Sequence, residues 1–283
     1  MSAEAAVRCT TCPRGCLLAP GKAGLCRARK NVGGKVQATS YGRVTSIALD
    51  PVEKKPLARW KPGSKVLSLG SYGRNLRCPW CQNYGISQAG QDDVLWREVT
   101  PEYVVALAQQ LRDEDPRTVG IAYTYNEPLV SWEFVRDCGV LAHEAGLSNV
   151  LVSAGCVSQE VVREVAPLID AANIDLKSFS AQTYESLGGS LEYVQSTIRM
   201  LAQVPSCHLE VTTLVVPGVN DTDEEMDELS AWLAAVDADI TLHVSRFFPN
   251  WHMRDRGPTA VARVYALADV ARRHLAHVFT GNC

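Results

Sequence analysis

From Lys65 onward, short apolar runs alternate with longer stretches in which apolar residues recur every three or four positions. The short runs predict strands at 66–69, 119–124, 149–153, 171–175, 208–215, 240–245 and 277–280. The longer stretches predict helices near 101–112, 129–145, 158–168, 190–203, 223–236 and 259–275. The first helix has Thr100 as its N-cap and Pro101 at its first position, where a missing N–H costs nothing. In the second, Val130, Phe134, Cys138, Leu141 and Ala145 form one buried stripe. Met226, Leu229, Leu233 and Val236 repeat that stripe in the fifth. Repeated strand–helix units need right-handed crossovers, and so a parallel sheet. Six or seven units in about 220 residues are too few for a closed eight-fold barrel. The expected fold is α/β: a partial (β/α)6-type TIM barrel of mostly parallel strands over 61–283.

Residues 1–60 read differently. They hold four close cysteines, the stretch Asn31-Val32-Gly33-Gly34 and short apolar segments near Val36 and at 44–49. This predicts a small strand-and-loop module, stapled rather than deeply packed. Asp50-Pro51 and Lys61-Pro62-Gly63 mark turns. In parallel α/β folds, chemistry gathers at the C-terminal ends of the strands. That rule selects 74–81, 126–127, 153–156, 175–177, 216–221, 246–250 and 281–283, where polar residues and cysteines cluster.

Composition narrows the class. The chain has 283 residues, 46% hydrophobic and 21% charged, which excludes a mostly disordered polymer. A net charge of −3 leaves no basic excess for dedicated nucleic-acid binding. No apolar run approaches the ~18 residues of a membrane span. Residues 1–10 lack the apolar run of a secretory signal, so a cytoplasmic location is expected.

Cysteine is the outlier: ten in all, six of them within the first 81 residues. In a cytosolic chain, clustered cysteines more often bind metal or do redox chemistry than form structural disulfides. The first constellation is Cys9-x2-Cys12-x3-Cys16-x9-Cys26. Four thiolates so close can surround a zinc ion or hold a [4Fe–4S] cluster, and both stay open. Four unconnected thiols is the plainer alternative. The second is Cys78-Pro79-Trp80-Cys81, which alone fits a thiol–disulfide motif or a metal knuckle. A thioredoxin-like unit wants about 100 residues starting near the motif, whereas this chain continues through six further strand–helix units.

The run Gly70-Ser71-Tyr72-Gly73-Arg74-Asn75-Leu76-Arg77-Cys78-Pro79-Trp80-Cys81-Gln82-Asn83-Tyr84 follows a strand. With it go 50–57 (Asp-Pro-Val-Glu-Lys-Lys-Pro-Leu), 125–128 (Tyr-Asn-Glu-Pro), 173–177 (Asn-Ile-Asp-Leu-Lys) and 216–221 (Val-Pro-Gly-Val-Asn-Asp). Together with the N-terminal four-cysteine pattern, these segments resemble the radical SAM enzymes nearly end to end. The likeness is greatest to the pyruvate formate-lyase-activating-enzyme-like group of AmmeMemoRadiSam systems. The resemblance implies three cysteines at Cys-x3-Cys-x2-Cys holding a [4Fe–4S] cluster. Its fourth iron binds S-adenosylmethionine (SAM), whose reductive cleavage yields a 5′-deoxyadenosyl radical that abstracts hydrogen from substrate. It also implies a reductant protein such as flavodoxin or ferredoxin, and a protein substrate of the glycyl-radical-activase kind.

The pattern breaks at its first cysteine, where this chain has Arg74. Guanidinium has no lone pair to give iron. Cys78 and Cys81 remain as catalytic metal ligands. Arg74 reads as a change in an otherwise active enzyme, as the mark of a member without radical chemistry, or as a loss made good by another thiolate. Cys156 and Cys283 are the strand-end candidates for that last role.

By the same resemblance, Asn126 and Glu127 receive the SAM amine, with an ordinary helix-start glutamate as the alternative. Asp175 and Lys177 alternate onto one face of a strand. There they can hold the ammonium and carboxylate of an amino acid, or simply each other. Ser153 is the remaining candidate for ribose, and Phe247 or Phe248 for the adenine. His243 and Arg246 are substrate-facing candidates, a buried structural histidine being the alternative. Cys138 reads as core, and Trp132, Trp232 and Trp251 as packing. Three functions stay open: a radical SAM scaffold impaired by Arg74 or a non-catalytic metal- and SAM-binding homologue, both implied by the resemblance, and a dithiol oxidoreductase using Cys78 and Cys81.

Overall fold

The structure is a computed structural model that describes residues 5–283. The N-terminal part is built from short pairs. β1 (Val7–Arg8) pairs antiparallel with β2 (Leu17–Leu18), and β3 (Arg29–Val32) with β4 (Lys35–Ala38). Gly33 and Gly34 both have positive φ in the β3–β4 turn, the requirement of a tight two-residue hairpin. β5 (Arg43–Val44) pairs with β8 (Arg97–Glu98) outside the main sheet.

The main sheet has eight strands in the order β6 (Ser46–Pro51), β7 (Lys65–Gly70), β9 (Thr118–Tyr123), β10 (Ser148–Ser153), β11 (Ala171–Asp175), β12 (His208–Val215), β13 (Thr241–Arg246) and β14 (Val278–Gly281). Every neighbouring pair is parallel except β6–β7. β6 and β14 are the two edges, so the barrel is partial, as the unit count predicts. All seven expected strands and six expected helices form, within two or three residues at most ends for the longer ones. The helices are α1 (Tyr84–Ser87), α2 (Pro101–Glu114), α3 (Trp132–Glu144), α4 (Gln159–Val165), α5 (Ala181–Ser186), α6 (Leu191–Ala202), α7 (Asp223–Val236) and α8 (Val261–Ala271). The Thr100 hydroxyl caps α2 by accepting from the Tyr103 amide at 3.2 Å. Cys138 is fully buried on the inner face of α3. The two short helices α1 and α5 carry too few residues for a periodic signal.

One element differs in placement. β6 lies within residues 1–60 but belongs to the main sheet, pairing Ser46 with Gly70 through Pro51 with Lys65. The loop after it, 52–60, then closes the N-terminal ends of the strands. Val52, Leu57 and Trp60 pack there against Val66, Ala122, Val150 and Ala171. Glu210 accepts from the Ala58 and Arg59 amides at 3.0 and 2.9 Å, and contacts His208 Nε2 at 2.8 Å and His243 Nε2 at 2.5 Å. Lys55, buried, pairs with Asp50 at 2.8 Å, and the Tyr125 hydroxyl donates to the same carboxylate.

Candidate ligand and cluster site

At the opposite ends of β11, β12 and β13 lies a cavity of about 230 Å³. Arg74, Cys78, Cys81, Asp175, Lys177 and Thr212 are among its walls. The loop after β7 carries the first three, and it is pinned from several sides. The Asn126 side chain accepts from the Ser71 amide at 3.0 Å and donates to the Tyr72 and Gly73 carbonyls at 3.1 Å. Gly73 has φ +86°, and a Cβ there would stand 2.5 Å from the Cys26 carbonyl oxygen, so glycine is required. The Arg74 amide donates to that same carbonyl at 3.2 Å, tying the loop to the N-terminal module. Asn75 Nδ2 donates to the Cys156 carbonyl at 2.5 Å.

Glu127 is fully buried. Its Oε1 accepts from the Ser153 hydroxyl at 2.6 Å and the Leu129 amide at 3.2 Å, and its Oε2 from the Ala154 amide at 2.9 Å. Asn126, Glu127 and Ser153 thus brace the loops around the cavity and do not line it. Asp175 and Lys177 do line it, side by side as strand alternation predicts. Lys177 Nζ stands 2.7 Å from Asp175 Oδ2. Two partners that sequence reasoning missed hold Lys177 in place. Asn220 donates to its carbonyl at 2.9 Å, and the Tyr184 hydroxyl accepts from its amide at 2.9 Å. Asn220 was visible as a turn residue, but nothing in its spacing showed that it reaches Lys177.

Arg74 shares this wall with the two cysteines and that pair. Its side chain is 11% exposed, and Nη2 is 3.6 Å from the Asp175 oxygen that Lys177 already holds. Its Nε is buried without a hydrogen-bond partner among the described residues. Burial by itself would lower the Arg74 pKa. The charge of Glu127 and the nearby Cys78 and Asp175 outweigh it and hold the guanidinium charged. Burial pushes the Cys78 thiol up, against the pull of Lys177 and Arg74. A buried thiol raised in this way is a poor dithiol nucleophile.

Compensation by another thiolate, one of the three readings of Arg74, finds no thiol on the cavity wall beyond Cys78 and Cys81 among the described residues. Cys156 is fully buried and its Sγ accepts from the Ser190 amide at 3.4 Å, while Cys283 is exposed and contacts the Gly281 carbonyl. Neither lines the cavity, because Asn75 holds the Cys156 turn by its backbone and the thiol faces away. His243 is directed to Glu210 rather than toward substrate. Arg246 donates to the Thr259 carbonyl at 2.7 Å and lies over the exposed Phe248 ring. Phe247 is buried in the main core. Trp132 and Trp232 pack on the core, and Trp251 stacks on Tyr84.

In the N-terminal module, Cys9, Cys12, Cys16 and Cys26 line one small cavity with Arg29, Asn75 and Val130. Burial pushes Cys12 up to about 11, and the neighbouring Cys26, Cys9 and Cys16 add to it. The four thiols therefore feel one another. Among the described residues no three His, Cys, Asp or Glu side chains already stand in a metal-holding arrangement.

The profile of the radical SAM superfamily matches residues 71–232, more than half of the chain. An uncharacterized protein of Methanocaldococcus jannaschii is 38% identical over 98% of this chain and 81% of its own length. The GTP 3′,8-cyclase of Peptoclostridium acidaminophilum is 30% identical over 66% of this chain and 60% of its own. The 4-hydroxyphenylacetate decarboxylase activating enzyme of Clostridioides difficile is 27% identical over 40% of this chain and 37% of its own. Among solved structures, Streptococcus suis SuiB bound to S-adenosylmethionine superposes with a TM-score of 0.59 at 12% identity, covering 82% of this chain and 53% of that one. That likeness shows the fold, a parallel α/β barrel open at one seam. The profile match, over more than half of the chain, establishes that this chain belongs to the radical SAM superfamily.

Proposed function

We propose that this chain is an activating-enzyme-like radical SAM scaffold of the AmmeMemoRadiSam group, with its radical step impaired by Arg74. In the superfamily, a three-thiolate [4Fe–4S] cluster binds SAM and supplies the electron that releases the 5′-deoxyadenosyl radical. The residues here do not fit such a cluster. Cys78 and Cys81 give two thiolates, and the third position carries a cation without a lone pair. The observation that carries the reading is Arg74 itself, on one cavity wall with both cysteines and 3.6 Å from Asp175. What the chain retains is the amino-acid end of the SAM site: Asp175 and Lys177 on the wall, with Asn126, Glu127 and Ser153 bracing the loops behind it.

The group's partners would be a reductant such as flavodoxin or ferredoxin and a protein substrate, in keeping with the activating enzymes among the relatives. Residues 1–60 would contribute a second metal, zinc or iron–sulfur, on Cys9, Cys12, Cys16 and Cys26. The mutual influence of those four thiols supports that set.

The test compares this protein with Arg74→Cys after anaerobic reconstitution. The variant should gain about four irons per chain over the parent, and form 5′-deoxyadenosine when reduced with SAM. The difference cancels any iron in the N-terminal module. A parent that forms no 5′-deoxyadenosine at all is the non-catalytic homologue, the limit of complete impairment. A parent with the same iron and the same product yield as the variant removes the proposal.

A further inference from the structure

A guanidinium carries five N–H donors in a rigid fork. Among the described residues, Arg74 Nε is buried without a partner, and the nearest carboxylate oxygen stands beyond hydrogen-bond reach of Nη2. Thr212, a residue of the same wall, has its Oγ1 likewise buried without a partner among the described residues. Protein interiors leave few such atoms, because an unpaired buried donor loses its water and gains nothing in exchange. Neither atom opens onto the cavity; it is the Nη end of Arg74, 11% exposed on the wall and without a hydrogen bond among the described residues, that points to a missing acceptor.

Charge says what kind of acceptor. Arg74 and Lys177 are cations, and Asp175 and Glu127 are the carboxylates around them. The charges already balance, so the deficit is one of hydrogen-bond acceptors rather than of negative charge. A bare oxyanion such as phosphate would upset the balance. A zwitterion keeps it, bringing a carboxylate for the fork of Arg74 and an ammonium for Asp175. The cavity, about 230 Å³, is smaller than the ~300 to 1,000 Å³ of drug-sized pockets. It suits an amino acid, or the amino-acid end of a larger molecule.

We infer that Arg74 turns this cavity into an iron-independent receptor for an α-amino acid group, its carboxylate on Arg74 and its ammonium on Asp175. The inference rests on the proposed loss of the third thiolate but needs no cluster. Arg74 thereby takes over, with donors, a position at which a thiolate would have served iron.

Titration calorimetry on the full chain tests it, with iron per chain measured first. The probes are L-methionine, S-adenosylmethionine, 5′-methylthioadenosine (which lacks the amino-acid part) and inorganic phosphate. Methionine and S-adenosylmethionine should bind at least tenfold more tightly than the other two, with affinities independent of iron content. Arg74→Met should weaken the first two at least tenfold and leave methylthioadenosine unchanged. Arg74→Lys, which keeps the charge without the fork, should weaken them as well, and it carries the comparison if Arg74→Met does not fold. Absence of methionine binding overturns the inference. So does equal binding by both variants and the parent, phosphate binding as tight as methionine, or affinity that follows iron. These readouts involve no turnover. A parent that makes 5′-deoxyadenosine would remove the proposed impairment without deciding them.

Discussion

Two buried charges stand at opposite ends of the same sheet. Glu210, at the end closed by 52–60, is fully buried and has four donors converging on it. Arg74, at the end that carries the cavity, is nearly as enclosed and has no side-chain hydrogen bond at normal distance among the described residues. Both lose water on folding, a penalty that only partners offset. The fold supplies every partner at Glu210 and leaves them out at Arg74. The first end is finished architecture, and the second is arranged around something that comes from outside the chain.

The largest effect that sharpens this contrast is expected at the closed end. Glu210→Ala leaves two amides and two histidines without an acceptor inside the sheet, and it unfastens the 52–60 loop. The cost should be about 3–5 kcal/mol, read by urea unfolding. A loss under about 1 kcal/mol would mean that the network does not anchor this end.

A somewhat smaller effect should appear in pH dependence. Burial by itself raises the Glu210 carboxyl, but hydrogen bonds from His208 and His243 and from the Ala58 and Arg59 amides outweigh it and hold the pKa down at about 2. Its folded pKa lies below the unfolded value near 4.5. The stabilisation is therefore complete above about pH 4.5 and is lost as pH falls through about 2, some 3 kcal/mol in all at roughly 1.4 kcal/mol per unit. Unfolding free energies measured from about pH 6 down to about pH 2 should show this slope. Glu210→Gln should flatten it, and an unchanged slope would assign it to other carboxylates.

How far this contrast was legible in the sequence depends on range. The parallel strands and their helices announce themselves by local periodicity, because each needs one apolar face or a buried run. Asp175 and Lys177 were legible for the same reason: alternation along a strand puts them together whatever surrounds them. Long-range choices were not legible. β6 looks like part of the N-terminal module until its pairing with β7 is seen. A strand-end position does not say which way a side chain turns. Glu127 closes onto Ser153 and Ala154, Cys156 faces Ser190, and His243 reaches Glu210 across 33 residues of sequence. Thr212, inside a strand, gave no sign of being a wall of the cavity.

The smallest effect is expected at the open end, and it bears hardest on the contrast. Arg74→Met removes a buried cation but orphans no carboxylate. Glu127 keeps Ser153, Leu129 and Ala154, and Asp175 keeps Lys177. The variant gives up attraction to those two carboxylates and escapes the cost of holding an unpartnered guanidinium away from water, while the methionine stem fills much of the same space. These terms oppose each other, so unliganded stability should stay within about 1 kcal/mol of the parent by urea unfolding. A loss of about 3 kcal/mol or more would put Arg74 beside Glu210 as a structural tie. It would then be the charge balance with Glu127 and Asp175, rather than an absent ligand, that accounts for a guanidinium in that wall.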